Sequence, residues 1–274
     1  MTAVAVALAF GSALLHAAWN LRLKAADDPL RVAAVALPLG TAAATPAVGA
    51  AWLLAGRPGL PWQAWVIAAL SGLLECAYFH ALSAAYRRGD VSSVYPVARG
   101  TAPVLATLVG LLLLRERLGP AQLAGVAILV GGIWLARPPA DGRPALAPAL
   151  LTGVLIAAYT SLDRVGVRLG PAWLYGWALF AAISLFLLPW ARPGQAGRVG
   201  QAAPIGLLTV VAYGMTLGAL SLAPLALVAP LRESGVVVVA LWGVLRLGER
   251  RRAGLKLAGA AAVLSGAALL ATGG

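Results

Sequence analysis

Long apolar runs, separated by short breaks of basic residues, glycine and proline, fill most of this sequence. Ten runs can be delimited, and each is close to the roughly 20 residues that a helix needs to cross a bilayer. Their approximate spans are 2–21, 32–54, 62–86, 91–114, 120–137, 147–163, 172–190, 202–223, 225–246 and 253–272. Lipid offers no partner to an unpaired backbone N–H, and the strands of a membrane barrel would alternate in polarity. The pattern therefore predicts an all-α integral membrane protein with ten transmembrane helices.

The composition agrees with a membrane protein. Of the 274 residues, 61% are hydrophobic and 11% are charged, whereas soluble domains contain roughly 45–50% apolar and about 25% charged residues. A chain of this size cannot bury so large an apolar excess in one water-solvated core, so the excess must face lipid. Ten spans leave little sequence for a soluble catalytic domain, and we predict that the protein is not an enzyme.

The basic residues are distributed as in membrane proteins and not as in nucleic acid-binding proteins. The formal charge is +12, but the nineteen arginines and two lysines lie almost entirely in the breaks between apolar runs. They form no basic stripe interleaved with aromatic residues, so no nucleic acid partner is expected. The first run has no basic residue before Arg22. We interpret it as a retained membrane helix and not as a signal peptide.

Several other chemistries have no signature in the sequence. The sequence contains no Gly-x-x-x-x-Gly-Lys-Ser/Thr loop, so direct use of ATP is not expected. With two histidines, one cysteine and no cluster at ligand spacing, we predict no metal site and no cofactor.

The two halves of the sequence resemble each other. Matching residues recur at a nearly constant offset, namely Arg99 with Arg232, Gly110 with Gly243, Glu116 with Glu249, Gly125 with Gly259, and Gly132 with Gly266. Each copy holds five apolar runs. Because five is odd, the second copy enters the membrane from the opposite face, which gives two inverted five-helix repeats, 1–140 and 141–274. In transporters with inverted repeats, the substrate site lies near the midplane between the repeats.

Short sequence motifs are distributed over essentially the whole chain. They are Tyr-x-x-Ala-Leu-Ser at 78–83, Pro96, Arg-Glu-Arg-Leu at 115–118, Ala-Leu-Ser at 219–221, Pro230 and Gly-Glu-Arg at 248–250, with His16-Ala-Ala-Trp-Asn20 and Tyr159-Thr-Ser-Leu-Asp163. Together they resemble the ten-helix drug/metabolite transporters built from two EamA-type repeats. The resemblance implies this fold and transport as a class, and the family includes exporters of amino acids and drugs as well as importers of metabolites.

Four ionisable residues fall at membrane depth: Glu75, Arg99, Arg232 and Glu233. Such groups cost about 2.5–3.5 kcal/mol at mid-helix, so they face the bundle interior or a water-filled cavity. In one interpretation the arginines bind a substrate carboxylate or phosphonate, while a carboxylate holds an amine or a coupling proton. In the other, the charges neutralise each other, Arg99 with Glu75 and Arg232 with Glu233.

Polar residues on neighbouring turns complete the candidate site. His16 and Asn20 share a face of the first helix, and Tyr159 and Asp163 take the matching places on the sixth. The predicted substrate-binding residues are Arg99, Arg232, Tyr95, Glu75, Tyr78, His16, Asn20 and Tyr159. The candidates for binding a coupling ion or proton are Glu75, Glu233 and Asp163. Alternatively, His16 is a packing histidine, and Asp163 is an interfacial residue paired with Arg164 or Arg168.

These observations predict a secondary active or facilitative transporter of a small organic metabolite, such as an amino acid, organic acid or phosphonate. Transport would proceed by alternating access around a central site between the repeats. The expected partners are the substrate, the lipid bilayer and a coupling proton or ion, and the protein is expected as a monomer or homodimer in a bacterial inner membrane. Two alternatives stay open: an intramembrane lipid-modifying enzyme, and a non-transporting membrane receptor or scaffold.

The sidedness of the termini is open. Breaks after odd-numbered runs carry fourteen Lys and Arg residues, and breaks after even-numbered runs carry five. The positive-inside rule then places both termini outside the cytoplasm, whereas the family resemblance implies that both lie inside.

Overall fold

The described part of the chain is almost entirely helical. The computed structural model describes residues 3–24, 26, 28–88, 91–135, 146–191, 196–235, 237 and 253–273. Within these ranges there are ten α-helices with both ends described, further helical residues at Gly235 and Val237, and no strand. The helices are α1 (Ala3–Lys24), α2 (Pro29–Leu54), α3 (Trp62–Arg88), α4 (Val91–Leu112), α5 (Pro120–Leu135), α6 (Leu146–Gly166), α7 (Ala172–Leu187), α8 (Ala196–Leu222), α9 (Leu225–Arg232) and α10 (Ala253–Thr272).

Seven of the described helices are long and apolar enough to cross a membrane, namely α1, α2, α3, α6, α7, α8 and α10. Helix α5 and the Val97–Leu112 part of α4 are shorter apolar helices. The predicted end of the ninth run at 246 and the predicted boundary between residues 140 and 141 lie outside the described residues. The all-α membrane class is confirmed, and ten membrane crossings stay a prediction.

Local sequence signals set the ends of helix α2. Asp28 caps its start, because Oδ1 accepts a hydrogen bond of 3.2 Å from the backbone N of Arg31. Pro29 occupies the first turn, where its fixed φ and missing N–H suit a helix start. The helix therefore begins ahead of the predicted apolar run, and it ends at Leu54, just before Gly56 with a left-handed φ of 77°.

Helices of the first half pack mainly against helices of the second half. Helix α1 packs on α8, α2 on α7 and α8, α3 on α6 and α7, α4 on α6 and α9, and α5 on α10. Exchanging α1–α5 with α6–α10 converts each of these pairings into another that is also observed. The α1–α8 pairing, for example, becomes the α6–α3 pairing. Consecutive helices joined by short turns contact each other much less extensively.

Glycines allow the closest of these crossings, between α5 and α10. A Cβ on Gly125 would lie 2.9 Å from the carbonyl oxygen of Gly266, and one on Gly132 would lie 2.7 Å from the carbonyl oxygen of Gly259. The earlier glycine of α5 therefore meets the later glycine of α10, so the two helices run antiparallel where they cross. Backbone contact of this kind is a common means of association for membrane helices.

The α2–α8 and α3–α7 crossings are also interchanged when the two halves are exchanged. In the α2–α8 pair, a Cβ on Gly206 would collide with the carbonyl oxygen of Ala36. In the α3–α7 pair, a Cβ on Gly72 would lie 2.9 Å from the side chain of Ala182 and 3.1 Å from the backbone N of Ile183. Small residues therefore bring the two halves together on both sides of the bundle.

The distribution of apolar and charged side chains is the reverse of that in a soluble protein. Large apolar side chains cover the outer surface, and Leu185 is 67% exposed. Arg99, Asp163 and Arg232 lie inside and are at most 3% exposed. This arrangement places apolar groups against lipid and gathers the ionisable groups between the halves.

Candidate functional site

Arg99 of α4 and Glu233, directly after α9, form a buried ion pair that joins the two halves. Nη1 of Arg99 lies 3.1 Å from Oε1 and 3.3 Å from Oε2 of Glu233, and both side chains are 3% exposed. The carboxylate that faces Arg99 is therefore Glu233, and the pairing of Arg99 with Glu75 suggested by the sequence is wrong.

Arg232, which matches Arg99 in the second half, is held more loosely. Its Nε lies 3.8 Å from Oε1 of Glu233, and its Nη2 donates a long hydrogen bond of 3.4 Å to the hydroxyl of Tyr159. Its Cζ lies 5.4 Å from the centre of the Tyr213 ring, within cation–π distance. Nη1 is buried and has no hydrogen-bond partner within the described ranges. Nη1 of Arg232 is therefore a candidate donor to a ligand.

Two further buried polar atoms near Arg232 lack partners among the residues that the structure describes. Oε1 of Glu75 on α3 accepts no hydrogen bond, although the side chain is 7% exposed and lies within Coulombic range of Arg232. Oγ of Thr160 on α6 is also unpartnered, and it lines a small cavity together with Arg232 and Glu233. Native proteins rarely leave buried polar atoms unpaired, so these atoms define the centre of the candidate site.

Three tyrosine rings form a row beside the charges. The rings of Tyr78 and Tyr159 meet edge to face with centroids 5.9 Å apart, and Tyr159 meets Tyr213 in the same way at 5.9 Å. Tyr213 is missing from the residues predicted from the sequence. Its position could have been found, because the Ala212-Tyr213 pair of the second half matches Ala77-Tyr78 of the first.

Asp163 lies in a cage of hydroxyl groups. Its Oδ1 accepts hydrogen bonds from Ser71 at 2.6 Å and from Tyr175 at 2.7 Å, and its Oδ2 accepts one from Tyr213. The residue is 0% exposed, so the alternative in which Asp163 is interfacial and paired with Arg164 or Arg168 is wrong. The cage links α3, α6, α7 and α8, and it was missed because its donors come from helices far apart in sequence.

On α1, His16 and Asn20 occupy the places that match Tyr159 and Asp163 of α6 in the sequence. Nδ2 of Asn20 lies 2.7 Å from Nε2 of His16, and both residues are buried. The edge of the His16 ring also contacts Trp19, at 4.6 Å between centroids. Both central arginines lie within Coulombic range of His16. His16 is thus a hydrogen-bonded histidine at the border of the charged centre.

The structure brings most of the predicted site residues into one region between the halves. These are His16, Asn20, Glu75, Tyr78, Arg99, Tyr159, Asp163, Arg232 and Glu233. The side chain of Tyr95 lies outside the described residues. The arrangement offers one strong hydrogen-bond donor and one carboxylate acceptor, both buried, and this combination suits a small polar organic molecule.

Comparison with known proteins identifies the family. Residues 3–137 match the model of the EamA-like transporter family. A solved crystal structure of a protein is similar over 98% of this chain and 99% of its own length, with a TM-score of 0.74 and 22% sequence identity, which concerns the fold alone. No curated protein matches the sequence significantly. The chain is an integral membrane protein of the transporter class. It belongs to the EamA-like transporter family, part of the drug/metabolite transporter superfamily.

Proposed function

We propose that the protein is a secondary active or facilitative transporter that moves a small organic metabolite by alternating access. The proposed substrates are amino acids, organic acids or phosphonates, and the proposed site lies between two inverted five-helix repeats. The observation that carries this proposal is the pair of buried, unpartnered atoms at the centre, Nη1 of Arg232 and Oε1 of Glu75. A substrate anion satisfies the first atom, and a substrate amine or a coupling proton satisfies the second.

The packing of the helices supports the inverted repeat. Each pairing between halves has a counterpart under exchange of the halves. The contact of Gly125 with Gly266 has as its counterpart the contact of Gly259 with Gly132, and these residues match in the two copies of the sequence. The antiparallel crossing of α5 and α10 supports opposite orientations of the two copies. Alternating access would then rock one repeat against the other around the central site.

Arg232 is the residue best suited to bind the anionic group. A guanidinium presents a planar fork of donors that matches a carboxylate or phosphonate. Its neighbours limit its motion without using all of its donors, since Tyr159 accepts one weak hydrogen bond and Tyr213 faces the cation. Arg99 is already bound to Glu233, so we assign it to the wall of the site.

Among the candidates for a coupling ion or proton, Glu75 is the most available. Glu233 is bound to Arg99, and both oxygens of Asp163 accept hydrogen bonds from hydroxyl groups. Oε1 of Glu75 alone among these is recorded as unpartnered within the described ranges. We propose that Glu75 binds the substrate amine or carries the coupling proton, with His16 and Asn20 on the opposite side of the site.

The test is flux into liposomes that contain the purified protein. The labelled probes are L-threonine, L-phenylalanine, succinate and 2-aminoethylphosphonate, which cover zwitterions, a dianion and an amino-phosphonate. We expect at least one probe to move, and Arg232→Gln to abolish its flux with the folded yield unchanged. The matched control is Arg31→Gln, which removes an exposed arginine from the start of α2 and should leave flux unchanged. Absence of flux for every probe, or full flux in Arg232→Gln, would contradict the proposal.

A further inference from the structure

Glu116, in the turn between α4 and α5, caps the first turn of α9. Its Oε1 accepts a hydrogen bond of 2.8 Å from the backbone N of Leu225, and its Oε2 accepts one of 2.9 Å from the backbone N of Ala226. The first N–H groups of a helix have no partner inside the helix, and a carboxylate there also interacts favourably with the helix dipole. A residue of the first half thus holds the start of a helix in the second half.

Arg164 ties the same carboxylate to α6 and α8. Its Nε lies 3.1 Å from Oε1 of Glu116, and the two side chains are 10% and 7% exposed. Its Nη1 also donates to the carbonyl oxygen of Leu220 near the end of α8. Gly110 leaves the space for this arrangement, because a Cβ there would lie 2.5 Å from Oε2 of Glu116. The carboxylate is therefore held in place from several sides.

The cap is connected to the central site in two ways. Arg232 ends the helix that Glu116 caps, and Leu225 and Arg232 are about 10 Å apart along the axis at 1.5 Å per residue. Arg164 directly follows Asp163, whose carboxylate accepts a hydrogen bond from the hydroxyl of Tyr213. The ring of Tyr213 faces Arg232. The cap is therefore connected both to Arg232 and to the Tyr213 ring that faces it.

We propose that Glu116 is a positioning residue for Arg232. It fixes the axial place and rotation of α9, and so the direction of the free Nη1 donor towards the substrate. This inference rests on the proposed function, in which Arg232 binds the anionic group. Loss of the cap lets α9 shift, so that Arg232 keeps its charge but loses its place, and substrate affinity falls while the fold is retained.

The first test is the kinetics of flux in liposomes, with whichever of the four probes named above moves fastest. We expect Glu116→Ala to raise the apparent KM by about tenfold, the loss of one good charged hydrogen bond, with a smaller effect on the maximal rate. Glu116→Gln, which keeps one acceptor oxygen, should lie between the parent and Glu116→Ala. It serves as the second variant if Glu116→Ala folds poorly.

The second test needs no substrate, because it reads the position of the Arg232 charge directly. Cys76→Ala removes the single native thiol, and Thr160→Cys places a thiol in the small cavity that Arg232 lines. Thr160 is buried, so the reagents reach this thiol when the transporter opens. The measurement is the ratio of labelling rates for an anionic and a cationic methanethiosulfonate reagent. A nearby cation raises this ratio, and we expect Glu116→Ala to lower it severalfold, on the order expected for loss of local steering. A change in how often the transporter opens alters the labelling rates of both reagents by the same factor, so their ratio stays constant.

The matched control for lost capping is Asp28→Ala. Asp28 caps α2 through the same type of contact, but α2 carries neither central arginine, so the ratio should not change. In an Arg232→Gln background the ratio should already be low, and Glu116→Ala should lower it no further. An unchanged ratio in Glu116→Ala, or an equal fall in the Arg232→Gln background, would overturn the positioning role. Lack of flux for all probes would overturn the proposed function instead, and the labelling result would still decide the role of Glu116.

Discussion

Arg99 and Arg232 occupy matching places in the two halves, yet their surroundings differ. Arg99 makes two short contacts with the carboxylate of Glu233. Arg232 lies 3.8 Å from the same carboxylate and has one long hydrogen bond to Tyr159, and its Nη1 has no partner in the described part of the chain. One carboxylate cannot neutralise two cations equally. Glu233 holds Arg99 in a close ion pair, and Arg232 is the arginine that we propose for substrate binding.

The largest effect that separates the two arginines should be on stability. Arg99→Gln leaves Glu233 buried without its closest partner, and breaking a buried ion pair costs about 3–5 kcal/mol. Arg232→Gln should cost much less, because its contact with Glu233 is longer. Thermal unfolding in detergent, followed by size-exclusion chromatography, measures both variants. The double variant Arg99→Gln/Glu233→Gln should recover much of the loss, and equal losses for the two arginine variants would remove the distinction between them.

A second contrast lies between Asp163 on α6 and its counterpart Asn20 on α1. Asp163 accepts three hydroxyl hydrogen bonds, whereas the recorded side-chain partner of Asn20 is His16. Asp163→Ala leaves buried hydroxyls without an acceptor, and we expect a loss of about 3 kcal/mol. Asn20→Ala should cost about 1 kcal/mol, the usual net contribution of one hydrogen bond. The same thermal assay compares the two variants, and equal losses would show that Asp163 and Asn20 play similar structural roles.

The limits of prediction from sequence follow from the same contrasts. Apolar runs and the breaks between them locate helices such as α2 and α6 to within a few residues, because these signals are local. The match of Arg99 to Arg232 also indicated the internal repeat. The choice of Glu233 as the partner of Arg99 depends on which helices of opposite halves meet. A linear sequence gives the place of a residue along its own helix and does not give its neighbours across the bundle.

The smallest expected effect tests whether the scaffold, unlike the arginines, is equivalent in the two halves. A Cβ on Gly132 would lie 2.7 Å from the carbonyl oxygen of Gly259, and one on Gly266 would lie 2.6 Å from that of Gly125. Gly132→Ala and Gly266→Ala should therefore each cost about 1–3 kcal/mol, the usual range for overpacking. Gly131→Ala is the control, because a Cβ there meets no atom within 4 Å, and it should be neutral or slightly stabilising. Thermal unfolding measures all three variants. If the two glycine variants lose similar stability while Arg99→Gln and Arg232→Gln differ, the halves differ in their polar side chains. If the two glycine variants lose different amounts, the halves also differ at the helix crossing itself.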